Sequence, residues 1–121
     1  MAGAGELVGT CHCGRARITL PRTPESVTRC NCSLCTKTGF RGVYFAPGEV
    51  GIEGEFDSYT RSDLRQAYLA NHRCKTCGVL THWTLLGAPP HERMGVNARL
   101  FDEAALEGVP IKHVDGRSWD E

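Results

Sequence analysis

The sequence has no net charge: 14 Lys and Arg stand against 14 Asp and Glu, mixed along 121 residues. There is no basic field to draw a phosphate backbone or an anionic lipid surface, and no basic, aromatic-rich strand to stack bases. Nucleic acid is therefore not an expected partner. Long apolar runs are missing too. No stretch approaches the length that crosses a bilayer, and Met1–Glu6 lacks a basic segment followed by an apolar one. These absences lead to the expectation of a soluble, cytoplasmic protein with no membrane partner. No repeat, low-complexity tract or Pro/Ser-rich linker divides the chain, and a 40% hydrophobic content suffices for a modest core. One domain over residues 1–121 is expected.

Gly and Pro recur at short intervals, a punctuation that suits short strands and turns. Ala16, Ile18 and Leu20 alternate with Arg15, Arg17 and Thr19. Met94, Val96, Ala98 and Leu100 alternate with Arg93, Gly95, Asn97 and Arg99. A period of two predicts half-buried strands at both places. Further strands are expected at 42–46, 50–53, 56–60, 65–72 and 79–86, each rich in β-branched or aromatic residues or bounded by turn formers. Asp102 can cap a short helix over 103–106, stopped by Gly108 and Pro110, and Ser33 can begin a turn running to Thr38. Neither helix is long enough to organise the fold, so the class is mainly β with short helical turns.

Seven cysteines, an odd number in close groups, point in a reducing compartment to metal ligation rather than to disulfides. Cys11-His12-Cys13-Gly14 places two thiols at i and i+2. On an extended backbone these face the same side, with His12 turned away toward solvent. Cys74-Lys75-Thr76-Cys77-Gly78 is a second half-site, in which the two-residue spacer brings the sulfurs together and the glycine tolerates the tight bend. Joined, the half-sites supply four thiolates to one structural zinc ion, which would clamp the first strand against a late hairpin. The alternative is a set of unrelated reduced core cysteines.

Cys30-Asn31-Cys32-Ser33-Leu34-Cys35 combines both spacings in six residues and offers three thiolates. Three protein ligands plus an exchangeable position is the arrangement of catalytic zinc, whereas four close a structural site. A histidine from elsewhere could complete a structural site instead, and His72, His82, His91 and His113 remain unassigned. The turn after Ser33 offers backbone amides to a carboxylate, Lys37 and Arg41 add positive charge, and Thr38-Gly39 permits close backbone approach. Each of these also reads as ordinary surface or a plain turn, and the same holds for Tyr44 and Trp83.

At these residues the sequence resembles the glutathione-dependent formaldehyde-activating family. Its pattern is a leading C-H-C-G, a central C-x-C-S-x-C-x-K-x-G and a late C-x-x-C-G. They stand here at residues 11–14, 30–39 and 74–78, followed by Gly95-Val96-Asn97, Asp115-Gly116 and Trp119. The resemblance covers nearly the whole chain. It implies a β-tent fold of packed antiparallel sheets, structural zinc on Cys11, Cys13, Cys74 and Cys77, and catalytic zinc on Cys30, Cys32 and Cys35. It also implies glutathione as co-substrate, with Lys37, Gly39 and Arg41 as candidate contacts. The implied activity is carbon–sulfur lyase chemistry on a thiol–aldehyde adduct such as S-hydroxymethylglutathione. A non-catalytic zinc module that binds another protein is the competing class. The chain departs from the family pattern at His72-Arg73, where an aromatic residue commonly precedes the last cysteine pair.

Overall fold

The computed structural model describes residues 6–63, 67–86 and 93–119. Among these residues ten short strands form two sheets. In the smaller, β1 (Leu7–Thr10) pairs antiparallel with β2 (Arg17–Leu20), and β2 pairs antiparallel with β5 (Gly51–Glu53). The alternation around β2 behaves as its period demands: Ala16, Ile18 and Leu20 are buried while Arg15 and Arg17 are exposed.

The larger sheet has the order β10-β3-β4-β9-β8-β7-β6. Its strands are β3 (Val27–Cys30), β4 (Gly42–Phe45), β6 (Phe56–Thr60), β7 (Leu69–Cys74), β8 (Leu80–Leu85), β9 (Met94–Asn97) and β10 (Ile111–Val114). The mainly β class and the antiparallel pairing expected from the sequence hold, with one difference: β10 lies parallel to β3. Between β9 and β10 the chain makes an excursion through two 3-10 turns, Ala98–Leu100 and Glu103–Leu106. That length lets it come back to the sheet in the same direction as β3, which a tight hairpin forbids.

Strands β4, β5, β6 and β8 fall within their expected segments. β7 begins later than expected and runs on to Cys74; residues 65 and 66 lie outside the described residues. Strands β1, β3 and β10 carry no clear periodic signal in the sequence. β9 is shorter than its periodic segment, and all four of its residues are buried, so the half-buried expectation fails there. Gly95 is covered by the indole of Trp83, which occupies the space a side chain would need. Asn97 buries its amide by donating from Nδ2 to the Leu80 carbonyl at 2.7 Å and accepting at Oδ1 from the amide of Arg99 at 3.1 Å. Polarity at position 97 thus reflects internal hydrogen bonding, not solvent.

The core lies between the sheets, where Ile18 and Leu20 of the small sheet meet Val43, Phe45, Met94 and Val96 of the large one, with Phe101 alongside. Each such side chain contributes on the order of 1.5–3 kcal/mol by leaving water. Helix α1 (Ser33–Thr38) ends where expected: Gly39 takes the left-handed conformation at φ 76° and donates its amide to the Cys35 carbonyl at 2.9 Å. Asp102 caps the 3-10 turn over Glu103–Leu106, its Oδ1 accepting from the Ala104 amide at 3.0 Å. Among the described residues no helix is long and apolar enough to cross a membrane.

Candidate metal centres and the adjoining cavity

Tertiary folding joins the two distant cysteine pairs. Cys11 and Cys13 sit in the turn between β1 and β2, Cys74 ends β7, and Cys77 lies in the turn before β8. All four Sγ atoms lie within 4.8 Å of one another. The Cys11–Cys13 and Cys13–Cys74 sulfur separations are both 3.6 Å. A tetrahedral zinc ion with bonds of about 2.3 Å sets its sulfurs roughly 3.8 Å apart, so the donor set fits that ion. The first pair converges by a different route from the one expected. Its backbone is a turn closed by the Gly14 amide on the Cys11 carbonyl at 3.2 Å, not an extended segment. His12 is exposed and outside the cluster.

Backbone amides orient these sulfurs. Ala16 donates to Cys11 Sγ at 3.3 Å, and Cys77 donates to Cys74 Sγ at 3.5 Å within a knuckle that Gly78 completes at φ 80°. The amide of Cys13 and then that of Val79 lower the Cys77 thiol to about 6, so this position favours the thiolate that a metal requires. Ala16, Phe56 and Val79 pack around the cluster, which pins the small sheet to the β7–β8 hairpin of the large one.

The second cluster is built on one strand end and one helical turn. Cys30 ends β3, Cys32 caps α1, Cys35 lies in its first turn, and their Sγ atoms also fall within 4.8 Å of one another. The Cys32 amide donates to Cys30 Sγ and the Cys35 amide to Cys32 Sγ, each at 3.4 Å. The Thr36 amide goes to the Cys32 carbonyl at 2.9 Å. The Cys35 and Thr36 amides thus serve a sulfur and the helix. Burial, then the neighbouring sulfurs, push the Cys30 and Cys35 thiols up, because three anions cannot crowd together uncompensated. A soft divalent cation would supply that compensation, and three thiolates select zinc over hard, oxygen-seeking ions.

Among the described residues no histidine or carboxylate joins the three sulfurs. His72 and His82 stack on each other at 4.6 Å in β7 and β8, held by Ser58, Thr84 and Thr81. His91 lies outside the described residues. Gly116 packs so closely against Cys30 that a Cβ there would overlap its Sγ, and the Gly116 amide is hydrogen-bonded to that thiol.

Cys30 and Cys35 form part of the wall of a cavity of about 480 Å³. Of the three contacts expected for a bound thiol compound, Gly39 and Arg41 line this cavity. Lys37 lies in a separate depression beside Arg61 and Asp63. Arg29, Arg99, His113 and Asp115 also line the cavity. Asp115 belongs to the C-terminal pattern already noted and His113 was an unassigned histidine, but nothing in the local sequence around Arg29 and Arg99 distinguishes them from solvated surface; only their convergence in space does. Arg99 is fixed by donation from Nε to the Gly39 carbonyl at 2.6 Å. Tyr44 is half-buried, its phenol raised by burial, and Trp83 is buried over Gly95, so both contribute packing.

The fold matches the crystal structure of a Rhodobacter sphaeroides protein with a TM-score of 0.65 and 26% sequence identity, over 88% of this chain and 100% of that one. A comparison with curated proteins gives no match. The family model described as "Glutathione-dependent formaldehyde-activating enzyme" matches residues 6–114, nearly the full length. With both cysteine clusters assembled as that family's motifs suggest, the chain belongs to the glutathione-dependent formaldehyde-activating enzyme family.

Proposed function

We propose that this chain is a zinc-dependent carbon–sulfur lyase that makes or cleaves a thiol–aldehyde adduct such as S-hydroxymethylglutathione. Formaldehyde activation by the family supports the reaction class. The observation that carries the reading is the three-sulfur cluster in the wall of an open cavity, in contrast to the four-sulfur cluster packed between the sheets. In this reading Cys11, Cys13, Cys74 and Cys77 hold a structural ion, Cys30, Cys32 and Cys35 hold a working one, and residues 1–121 act as one unit.

Cys30, Cys32 and Cys35 would hold the ion, and zinc held by three thiolates would be a weakened Lewis acid whose chemistry would be to lower the pKa of a substrate thiol. The protein does the positioning. Gly39 and Arg41 flank the cavity and bring thiol and aldehyde within bonding distance. In cleavage the adduct's hydroxyl proton leaves, the carbon–oxygen double bond forms, and the carbon–sulfur bond breaks with its electron pair going to sulfur. His113 is the cavity-lining imidazole available to take that hydroxyl proton at a ring nitrogen and return it to the departing sulfur. Seven free thiols fit a cytoplasmic setting.

The test combines zinc analysis with NMR exchange between free and glutathione-bound formaldehyde. Two zinc ions per chain, faster exchange, and loss of exchange with one zinc in a folded Cys35→Ser variant are the expected results. A single inert zinc and no accelerated exchange would refute the lyase and favour a non-catalytic zinc module.

A further inference from the structure

Helix α1 and its cap carry two of the three sulfurs of the second cluster, Cys35 and Cys32. The helix is six residues long, buries none of them fully, and has no acidic residue in its first turn. Helices shorter than about 12 residues are marginal in water on their own, and a negative charge at the N-terminal end is one of the local devices that steadies them. The placing of these sulfurs therefore depends on how the rest of the fold holds this turn.

The fold grips both ends. At the C-terminal end Arg99 donates from Nε to the Gly39 carbonyl at 2.6 Å. At the N-terminal end three side chains close on one another. Ser33 Oγ donates to Asp63 Oδ2 at 3.0 Å and accepts from Arg61 Nη2 at 2.9 Å. Arg61 also takes both oxygens of Asp63, with Nε on Oδ1 at 2.9 Å and Nη2 on Oδ2. Ser33 stands directly after Cys32 and two residues before Cys35.

Arg61 and Asp63 come from the segment after β6, which is itself fixed: the Ser62 amide donates to Tyr59 Oη, and Asn71 donates from Nδ2 to the Tyr59 carbonyl, each at 3.3 Å. Exposed ion pairs as a rule contribute little, but this one is bidentate and the Arg61 side chain is only 12% exposed. Arg61 first, and Ser33 after it, hold the Asp63 carboxyl down at about 2, so the pair is charged throughout the neutral range. Its two charges cancel. The start of the helix thus gains a carboxylate acceptor with no net negative charge added beside three thiolates.

We propose that Arg61 and Asp63 are positioning residues of the three-cysteine centre: through Ser33 they preset the turn bearing Cys32 and Cys35 in the geometry that a metal ion requires. The proposal rests on reading that cluster as the working metal site. Hydrogen-bond partners behind the ligands of a metal site commonly account for about 10- to 100-fold in its affinity. Here the support acts one step further back, on the backbone that carries two of the ligands.

The test is zinc competition against a graded series of chelators, which resolves the ion lost in Cys35→Ser from the one held by the four-cysteine cluster. Asp63→Asn, Arg61→Gln and Ser33→Ala should each weaken the three-cysteine zinc by about tenfold or more, with the other ion unmoved. Ser33→Thr keeps the hydroxyl and should restore wild-type affinity. Ser33→Ala combined with Asp63→Asn should be no weaker than the worse single variant, because the side chains act as one unit. Asp63 is exposed, so its variant keeps the measurement available should Arg61→Gln fold poorly. Unchanged affinity in Asp63→Asn and Ser33→Ala, equal weakening of both zinc ions, or failure of Ser33→Thr to restore affinity overturns the positioning role. Selective zinc weakening in the variants, with no formaldehyde exchange in the wild type, sinks the lyase reading and leaves the positioning standing. Exchange in the wild type with unchanged zinc affinity in the variants does the reverse.

Discussion

Gly116 offers a sharp separation of the two cysteine clusters. A Cβ built on it meets Cys30 Sγ first and Cys32 Cβ next, at 3.2 Å. The sulfur would have to retreat by more than about 1 Å to reach the roughly 3.5 Å at which nonbonded heavy atoms rest. Metal–ligand distances tolerate only about ±0.2 Å. One added methyl thus demands several times the displacement that a zinc–sulfur bond accepts, and it also disturbs the Gly116 amide that hydrogen-bonds the Cys30 thiol. The four-cysteine cluster lies in a different part of the fold and should not register the change. Gly116→Ala is therefore expected to fold, to retain one zinc per chain instead of two, and to lose formaldehyde exchange. Elemental zinc analysis, far-UV circular dichroism and NMR exchange on the same sample would show it. A Gly116→Ala protein with two zinc ions and undiminished exchange would refute the reasoning.

Cys77→Ser should behave in the opposite way to Cys35→Ser: losing a ligand between the sheets should abolish cooperative folding or lower the melting temperature sharply, and strong chelation of the wild type should reproduce that loss. Gly95→Ala drives a Cβ into the buried indole of Trp83 and should cost about 3 kcal/mol in urea unfolding, with both zinc ions retained in the surviving folded fraction. His82, only 4% exposed, is lowered by burial, then by the charge of His72, to about 4 from an ordinary 6.5. The unfolded chain therefore binds the extra proton between those values. The neutral imidazole contributes stability in full above pH 6.5 and loses it as pH falls toward 4, a swing on the order of 3 kcal/mol. Since protonation of the cysteine ligands adds its own acid sensitivity, the check is the melting-temperature difference between wild type and His82→Gln. That difference should fall steadily from pH 7 to about 4.5, and a constant difference would refute it.

Spacing made the local half-sites legible. The pairs at 11 and 13 and at 74 and 77, and the group at 30, 32 and 35, converge within their own turns because a few intervening residues limit the conformations available. The same locality made the helical turn from Ser33 to Thr38 readable and gave Asp102 as a cap. Periodicity succeeded at Ala16–Leu20, where one face meets solvent, and misled at Met94–Asn97, where Trp83 covers Gly95 and the Leu80 carbonyl satisfies Asn97. A buried polar residue with an internal partner reads in sequence as an exposed one.

Tertiary structure alone decided what crosses long stretches of chain. It brought Cys13 to 3.6 Å from Cys74, laid β10 parallel to β3, set Gly116 against Cys30, and gathered Arg29, Arg41 and Arg99 around one cavity while Lys37 went elsewhere. Metal-ligand chemistry is carried by residue type and short spacing, so the sequence by itself determined which cysteines act together locally. The arginines around the cavity are individually commonplace, and what sets them apart is that separate elements bring them to face one another. That is a property of distance, which a linear pattern does not encode.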